Sequence, residues 1–181
     1  MYSYVTYALH RIRMLQHYGV RPYVVFDGGH LPSKQGTERE RAERREQHRK
    51  RGLQYMAENR ASAARDAFSR CVDVTPQMAA QLIRQLRAEN IPYVVAPYEA
   101  DAQLTYLEQE GLIDGIISED SDLLVFGCKT VLFKLDTYGN CVEIQQERFA
   151  QAKQVSLAGW SREAFRQMAS RDQPASDTCF A

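Results

Sequence analysis

Short apolar runs alternate with amphipathic segments along this sequence, and this alternation limits the folds open to it. PYVVF, IPYVVAP and DGIIS are separated by segments with helical periodicity. Strands that are apolar along their whole length are typical of a parallel sheet covered by helices on both faces. We therefore predict an α/β fold of one domain, with a hairpin at the sheet edge in which TYGN joins KTVLFKLD to CVEI.

Helical segments are predicted from periodicity and from their boundary residues. Residues 3–18 place apolar side chains on one face before Gly19, and residues 37–59 and 61–70 form a charged helix and a shorter one. Thr75 and Pro76 are typical of an N-cap and a first helical position, so a further helix is expected over residues 75–90. Another helix follows IPYVVAP, with Ala100 and Leu104 on one side.

Three predicted strands end in carboxylates. In a parallel sheet these ends lie along one edge, where ligands bind. Acids gathered there raise one another's pKa unless a cation compensates, and hard oxygen donors suit Mg²⁺ or Mn²⁺. The acids directly after the strands are Asp27, then Glu99 and Asp101, then Glu119, Asp120 and Asp122.

Each acid also has a simpler interpretation. A single Asp after a strand is usually a turn former or a helix N-cap, and Asp101 suits the first turn of a helix. Glu108, Glu110 and Asp114 are expected to be surface residues. Repetition over three strands nevertheless favours a metal site.

The basic residues are concentrated elsewhere in a chain whose net charge is zero. Residues 34–51 contain eight bases and four glutamates. A solvated helix held by pairs such as Glu40 with Arg44 would explain this run. A segregated basic face beside an acidic crevice favours a phosphodiester substrate instead, with Lys34 placed to stabilise phosphate charge. That face consists of Arg41, Arg44, Arg45, His48 and Arg49.

Other classes are disfavoured by the sequence. No apolar run approaches the roughly 18 residues that span a bilayer. The four cysteines lack the CxxC spacing of a zinc ribbon, and they favour a reducing compartment. A phosphatase of the kind that uses an Asp nucleophile with a second Asp two residues later is set aside, since Gly28 and Gly29 follow Asp27.

Five stretches carry a family resemblance: VFDGGHLPSK, the Arg-rich ERERAERREQHRKRG, APYEADAQL, EDSDLLVFGCK and KLDTYGN. They resemble the flap endonuclease (XPG-type) family of 5′ nucleases, and within it the exonuclease 1 branch. The resemblance implies a PIN-like α/β domain over residues 1–168, with an Arg-rich helical arch over about 30–70, and a divergent, disordered tail over 169–181. It also implies Mg²⁺-dependent 5′ to 3′ exonuclease or 5′ flap endonuclease activity in the nucleus. The site would hold two Mg²⁺ ions, for which Mn²⁺ can substitute, and the substrate would be DNA with 5′ ends or flaps. It further implies mismatch-repair proteins as partners and no association with a membrane.

The same resemblance assigns residues to roles. Lys34 and Arg41 would approach the scissile phosphate. The metal-binding carboxylates would be Asp27, Glu99, Asp101, Asp120 and Asp122, and the DNA-binding residues Lys34, Arg41, Arg44, Arg45 and Arg49. The family's first strand, in the middle of the sheet and bearing another Asp, and its Gly-Asp-Tyr segment have no counterpart here, so a chain truncated at both ends is expected. The alternative function is a catalytically impaired fragment that binds DNA or a repair partner.

Overall fold

The computed structural model describes residues 3–151, 159 and 162–171. The chain divides into two compact units. The first contains residues 1–29 and 83–181, and the second contains residues 30–82. Residues 172–181 of the predicted tail lie outside the described residues.

The strands of the first unit form two small sheets. β1 (Val24–Phe26) pairs in parallel with β2 (Tyr93–Val95). β3 (Ile116–Ile117) pairs in parallel with β4 (Thr130–Phe133), which pairs antiparallel with β5 (Val142–Gln145). The parallel α/β character and the terminal hairpin are confirmed, whereas the described strands form two sheets instead of one, since β1 pairs only with β2 and no register pair joins either of them to β3.

Helices pack around these sheets. They are α1 (Ser3–His17), α4 (Pro76–Ala88, which contains the boundary between the units), α5 (Ala100–Gln109), α6 (Asp122–Phe126) and α7 (Arg162–Arg171). α1 buries Val5, Leu9 and Ile12, at the four- and three-residue spacing of one helical face. A second core cluster joins β3, α6 and β4 through Ile116, Leu123, Cys128 and Val131.

Local signals fix two of the boundaries. The Oγ1 of Thr75 accepts a hydrogen bond from the N–H of Met78 at 3.3 Å, which confirms the N-cap before α4. In the β4–β5 turn, the Oδ1 of Asp136 accepts hydrogen bonds from the backbone N–H groups of Tyr138 (2.8 Å) and Asn140 (2.9 Å). The hydroxyl of Tyr18, the residue directly after α1, donates to the carbonyl of Tyr138 in this turn at 2.9 Å.

The second unit is built around two helices. A 3₁₀ turn (Pro32–Lys34) leads into α2 (Gln35–Ala57), and α3 (Ala61–Ser69) follows, close to the predicted helical bounds. Gly52 is the buried residue of α2, and a Cβ built on it would lie 2.6 Å from the ring of Phe68. A side chain at residue 52 would therefore require the Phe68 ring to shift. No helix in the described part of the chain is both long and apolar enough to cross a membrane.

Candidate metal and nucleic-acid sites

An acidic crevice of about 550 Å³ lies in the first unit. Its lining includes three predicted ligands, one from each of three segments: Asp27 after β1, Asp101 on α5 and Asp120 after β3. The lining residues that the structure describes include no Lys or Arg; the others are Ala100, Ser118, Glu119 and Ser121. Glu99 and Asp122 do not belong to this lining, although each is adjacent to a residue that does.

Asp27 connects the end of β1 to the start of α5. Its Oδ1 accepts a hydrogen bond from the N–H of Ala100 at 2.7 Å. The following Gly28 packs directly on the chain after β2, because its Cβ would lie 1.8 Å from the carbonyl oxygen of Ala96. The helix-capping interpretation of Asp27 thus holds for one carboxylate oxygen, and the glycine turn brings this acid to α5.

The other acids lie at the starts of two helices. Glu99 is the N-cap residue of α5 in an extended conformation, and Asp101 lies in the first turn. After β3, the Oδ1 of Asp120 accepts a hydrogen bond from the N–H of Asp122 at 2.9 Å, and Asp122 begins α6. Negative side chains favour helix N-termini, which offsets part of their mutual repulsion.

The repulsion that remains is concentrated on Asp101. The pKa of its carboxyl is raised from 3.8 to about 6, first by burial and then by the neighbouring carboxylates Asp120, Asp27, Glu99 and Asp122, in that order of importance. Each of the other four predicted ligands therefore acts on Asp101 electrostatically. A bound cation would reverse this effect, since it stabilises the ionised form.

The donor set fits a divalent cation by its chemistry. Five carboxylates are hard oxygen ligands of the kind that Mg²⁺ and Mn²⁺ prefer. As they are placed, no three Asp, Glu, His or Cys side chains in the described ranges are arranged to hold a metal ion. The crevice thus gathers the acids without forming a finished coordination sphere, and their assignment as ligands stays a prediction.

Glu108 corrects one sequence-based expectation. We expected it on the surface with Glu110 and Asp114; those two are exposed, but the Glu108 residue is only 3% exposed. Its Oε2 accepts a hydrogen bond from the N–H of Lys129 at 2.6 Å and its Oε1 one from Thr130 at 2.9 Å. These partners are more than twenty residues away, so the helix alone suggests a solvated acid. The signal that was available is spacing, because Glu108 lies seven residues after Asp101 on the same helical face.

The cations of α2 are predominantly paired within the helix. Arg41 binds Glu38 at 3.1 Å, Arg44 binds Glu40 at 3.5 Å, and Arg49 binds Glu46 at 2.8 Å. The solvated-helix interpretation of this run therefore describes its ion pairs correctly. Such exposed pairs are each worth about 0–1 kcal/mol, so a phosphate can displace their acids at little cost.

Arg45 differs from the other arginines. Its side chain is 29% exposed and binds Asp73, beyond α3, at 3.2 Å. It therefore fastens α2 to a distant part of the second unit, a structural role that the sequence did not suggest. Lys34 is exposed at the end of the 3₁₀ turn. The catalytic role of Lys34 and Arg41 and the DNA-binding role of the set remain predictions.

Known proteins resemble this chain at the level of sequence and of fold. The XPG N-terminal domain matches residues 1–48, and the XPG I-region matches residues 90–171. Exodeoxyribonuclease 1 of Schizosaccharomyces pombe is 55% identical over 155 residues, which are 86% of this chain and 27% of that protein. Exonuclease 1 of Arabidopsis thaliana is 44% identical over 165 residues, which are 91% of this chain and 22% of that protein. The chain thus spans about a quarter of the length of these relatives.

Solved structures show the same fold. The catalytic core of Rad2 in complex with a DNA substrate has a TM-score of 0.57 and 29% identity, covering 86% of this chain and 41% of that one. Human GEN1 in complex with Holliday junction DNA has a TM-score of 0.60 and 20% identity, covering 91% of this chain and 36% of that one. The PIN-like α/β fold class predicted from the sequence is therefore confirmed.

Proposed function

We infer the function from membership: the chain belongs to the XPG family of nucleases, and we propose that it forms part of a 5′ nuclease of DNA repair. In this proposal it hydrolyses phosphodiesters at the 5′ ends or flaps of DNA, as a 5′ to 3′ exonuclease and flap endonuclease. The observation that carries the proposal is the convergence of Asp27, Asp101 and Asp120 from three separate segments on one crevice.

Divalent cations are the proposed cofactors of this crevice. Asp27, Glu99, Asp101, Asp120 and Asp122 would hold two Mg²⁺ ions, for which Mn²⁺ substitutes. Bound there, the ions would supply the Lewis-acid charge for hydrolysis, in which a water oxygen forms a bond to phosphorus and a bridging P–O bond breaks. The raised pKa of Asp101 supports this assignment, since burial and four neighbouring carboxylates disfavour its ionised form, which a bound cation would stabilise.

The cations of α2 supply the proposed substrate contacts. Lys34 and Arg41 donate hydrogen bonds to the phosphate that reacts and stabilise the charge that builds on it. Arg44, Arg45 and Arg49 hold the neighbouring phosphates of the strand. For Arg41, Arg44 and Arg49 this requires the exchange of an intrahelical carboxylate for a phosphate, which leaves the helix in place.

Cellular context follows from the proposed activity. We propose a nuclear protein of replication and repair with mismatch-repair proteins as partners, and the relatives named exonuclease 1 support its assignment as a nuclease. A binding-only role is the second candidate function. It is favoured by one observation, that no three potential ligands in the described residues are placed to hold a metal ion.

Cleavage of a 5′-recessed DNA duplex by the purified chain tests the proposal. We expect cleavage in Mg²⁺, its loss in EDTA, and its loss in an Asp120→Ala/Asp122→Ala variant. The matched control is Glu110→Gln/Asp114→Asn, which removes two exposed acids of the same acidic stretch from outside the crevice lining. Mg²⁺-dependent cleavage that the control keeps and the crevice variant loses would support the enzyme. Folded protein that binds DNA without cutting it would establish the binding-only role instead.

A further inference from the structure

Two glutamates outside the predicted metal-binding set hold the two ends of β4. Glu108 on α5 accepts hydrogen bonds from the N–H groups of Lys129 and Thr130, where β4 begins. Glu119, which follows β3, accepts one from the N–H of Lys134 at 2.9 Å, just after β4 ends. β4 is therefore fixed at both ends by carboxylates as well as by its ladder.

Each of these glutamates belongs to an element that carries predicted ligands. On α5, Asp101, Thr105 and Glu108 follow one another at four- and three-residue spacing and so share a face. The Oγ1 of Thr105 donates to the carbonyl of Asp101 at 2.8 Å and lies 3.3 Å from the Sγ of Cys128. This face extends about 10 Å, two helical turns, from the crevice to the start of β4.

The second acid pair depends on the same strand. Asp120 directly follows Glu119, and the segment before it is held by the two register pairs of β3 with β4. One more backbone hydrogen bond, from the N–H of Ser118 to the carbonyl of Leu132 at 3.2 Å, extends this short ladder. The distance between the acids of α5 and those after β3 therefore depends on β4, to which both elements are bonded.

Only a carboxylate side chain can accept hydrogen bonds from both N–H groups at the start of β4, one on each oxygen. Both oxygens of Glu108 accept backbone N–H groups in a buried place. A glutamine there has one acceptor oxygen, and its NH₂ group would face an N–H donor, which leaves a buried donor unsatisfied. Glu108 does not belong to the crevice lining, so its influence on a ligand there is indirect.

We propose that Glu108 and Glu119 are positioning residues that hold the acid pairs Glu99–Asp101 and Asp120–Asp122 in register by fixing the ends of β4. This inference rests on the proposed function, because it concerns the same metal site. It predicts that loss of either anchor weakens metal binding in a chain that remains folded. Groups that hydrogen-bond directly to metal ligands typically contribute 10–100-fold to metal affinity, and we expect these more distant anchors to act at the lower end, about 10-fold.

Mn²⁺ titration of the purified chain, followed by the electron paramagnetic resonance signal of free Mn²⁺, tests the inference. We expect Glu108→Gln to raise the Kd for Mn²⁺ by about 10-fold. It should raise the Mg²⁺ concentration for half-maximal cleavage by the same factor, while kcat at saturating Mg²⁺ recovers. The control is Val5→Ala, a core truncation in α1 that lowers stability and should leave the Kd unchanged, since Val5 lines no part of the crevice.

Two variants of Glu119 test the positioning role even if the Glu108→Gln variant does not fold. Glu119→Ala removes the acceptor for Lys134 and should weaken Mn²⁺ binding, whereas Glu119→Gln keeps one oxygen and should restore it. Equal weakening by Ala and Gln would mean that Glu119 acts through its charge, and it would overturn the positioning role. A wild-type Kd in folded Glu108→Gln would overturn the inference and leave the proposed function standing. A wild-type chain that neither binds Mn²⁺ nor cleaves DNA would overturn both.

Discussion

Replacing Asp101 with asparagine should stabilise the metal-free protein at neutral pH, although the residue lies in the proposed active site. The pKa of this carboxyl is raised from 3.8 to about 6 by burial and by the four neighbouring carboxylates. A shift of this size corresponds to about 3 kcal/mol of free energy of unfolding. Since Asp101 is only partly buried, solvent screening reduces the figure to about 1–2 kcal/mol. Asparagine has the same shape and no charge, so the variant should recover that amount, less a few tenths for the lost helix N-terminal charge.

The pH dependence distinguishes this cause from a packing effect. A raised carboxyl pKa means that the native state holds the proton more tightly than the unfolded state does, so stability falls as pH rises from about 4 to 6. The destabilisation by Asp101 is absent at pH values below its pKa in the unfolded state and complete at pH values above its pKa in the native state. Roughly two-thirds of the advantage of Asp101→Asn at pH 7.5 should therefore be lost at pH 4.5.

Urea unfolding in EDTA, followed by circular dichroism at both pH values, provides the measurement. Glu110→Gln is the control, an exposed acid at the other end of α5, and it should change stability by less than about 0.5 kcal/mol. In saturating Mg²⁺ the order should reverse, because ligand binding stabilises the wild type more than the variant. An Asn variant that is no more stable than wild type at pH 7.5, or that gains equally at pH 4.5, would refute the reasoning.

Three further outcomes follow from contacts. Gly28→Ala should lower the free energy of unfolding by at least about 3 kcal/mol in urea titrations, because its Cβ would meet backbone at 1.8 Å, which cannot move aside cheaply. Arg44→Gln should reduce the slope of log K for DNA binding against log salt concentration by about 0.7–0.9. Glu40→Gln, which removes the partner of Arg44, should raise the affinity for DNA. Equal slopes for wild type and Arg44→Gln would mean that Arg44 does not contact the phosphates. Gly52→Ala should destabilise by about 1–2 kcal/mol despite the better helix propensity of alanine, and thermal unfolding should show the sign reversed in a Phe68→Ala background.

Features decided by neighbouring residues were predictable from the sequence. Thr75 and Pro76 predict the start of α4, and the TYGN turn, whose Gly139 has a φ of +91°, predicts the hairpin. The positions of the acids after strands were likewise visible, because a strand followed by Asp or Glu needs no distant information. The five-residue α6 was not predicted, since it is too short to show periodicity.

Features decided by distant residues were not predictable. Its spacing places Glu108 on the same face of α5 as Asp101, but its burial depends on the N–H groups of Lys129 and Thr130, and nothing within α5 reveals those donors. Arg45 matches Arg44 in sequence context, yet its partner Asp73 lies beyond the next helix. The separation of the strands into two sheets also depends on which edges meet, and the apolar runs alone do not specify that choice.

The hydrogen bond from Ala100 to Asp27 has a consequence for how the crevice would bind ions. The carboxylate of Asp27 is already engaged by the positive end of the α5 dipole. Because the N–H of Ala100 occupies only Oδ1, a cation can bind through the other oxygen of Asp27 and leave this hydrogen bond in place. It would then lie beside the positive end of the α5 dipole, whose repulsion lowers its binding free energy. Counting the carboxylates alone would therefore overestimate the affinity of the crevice for the ion.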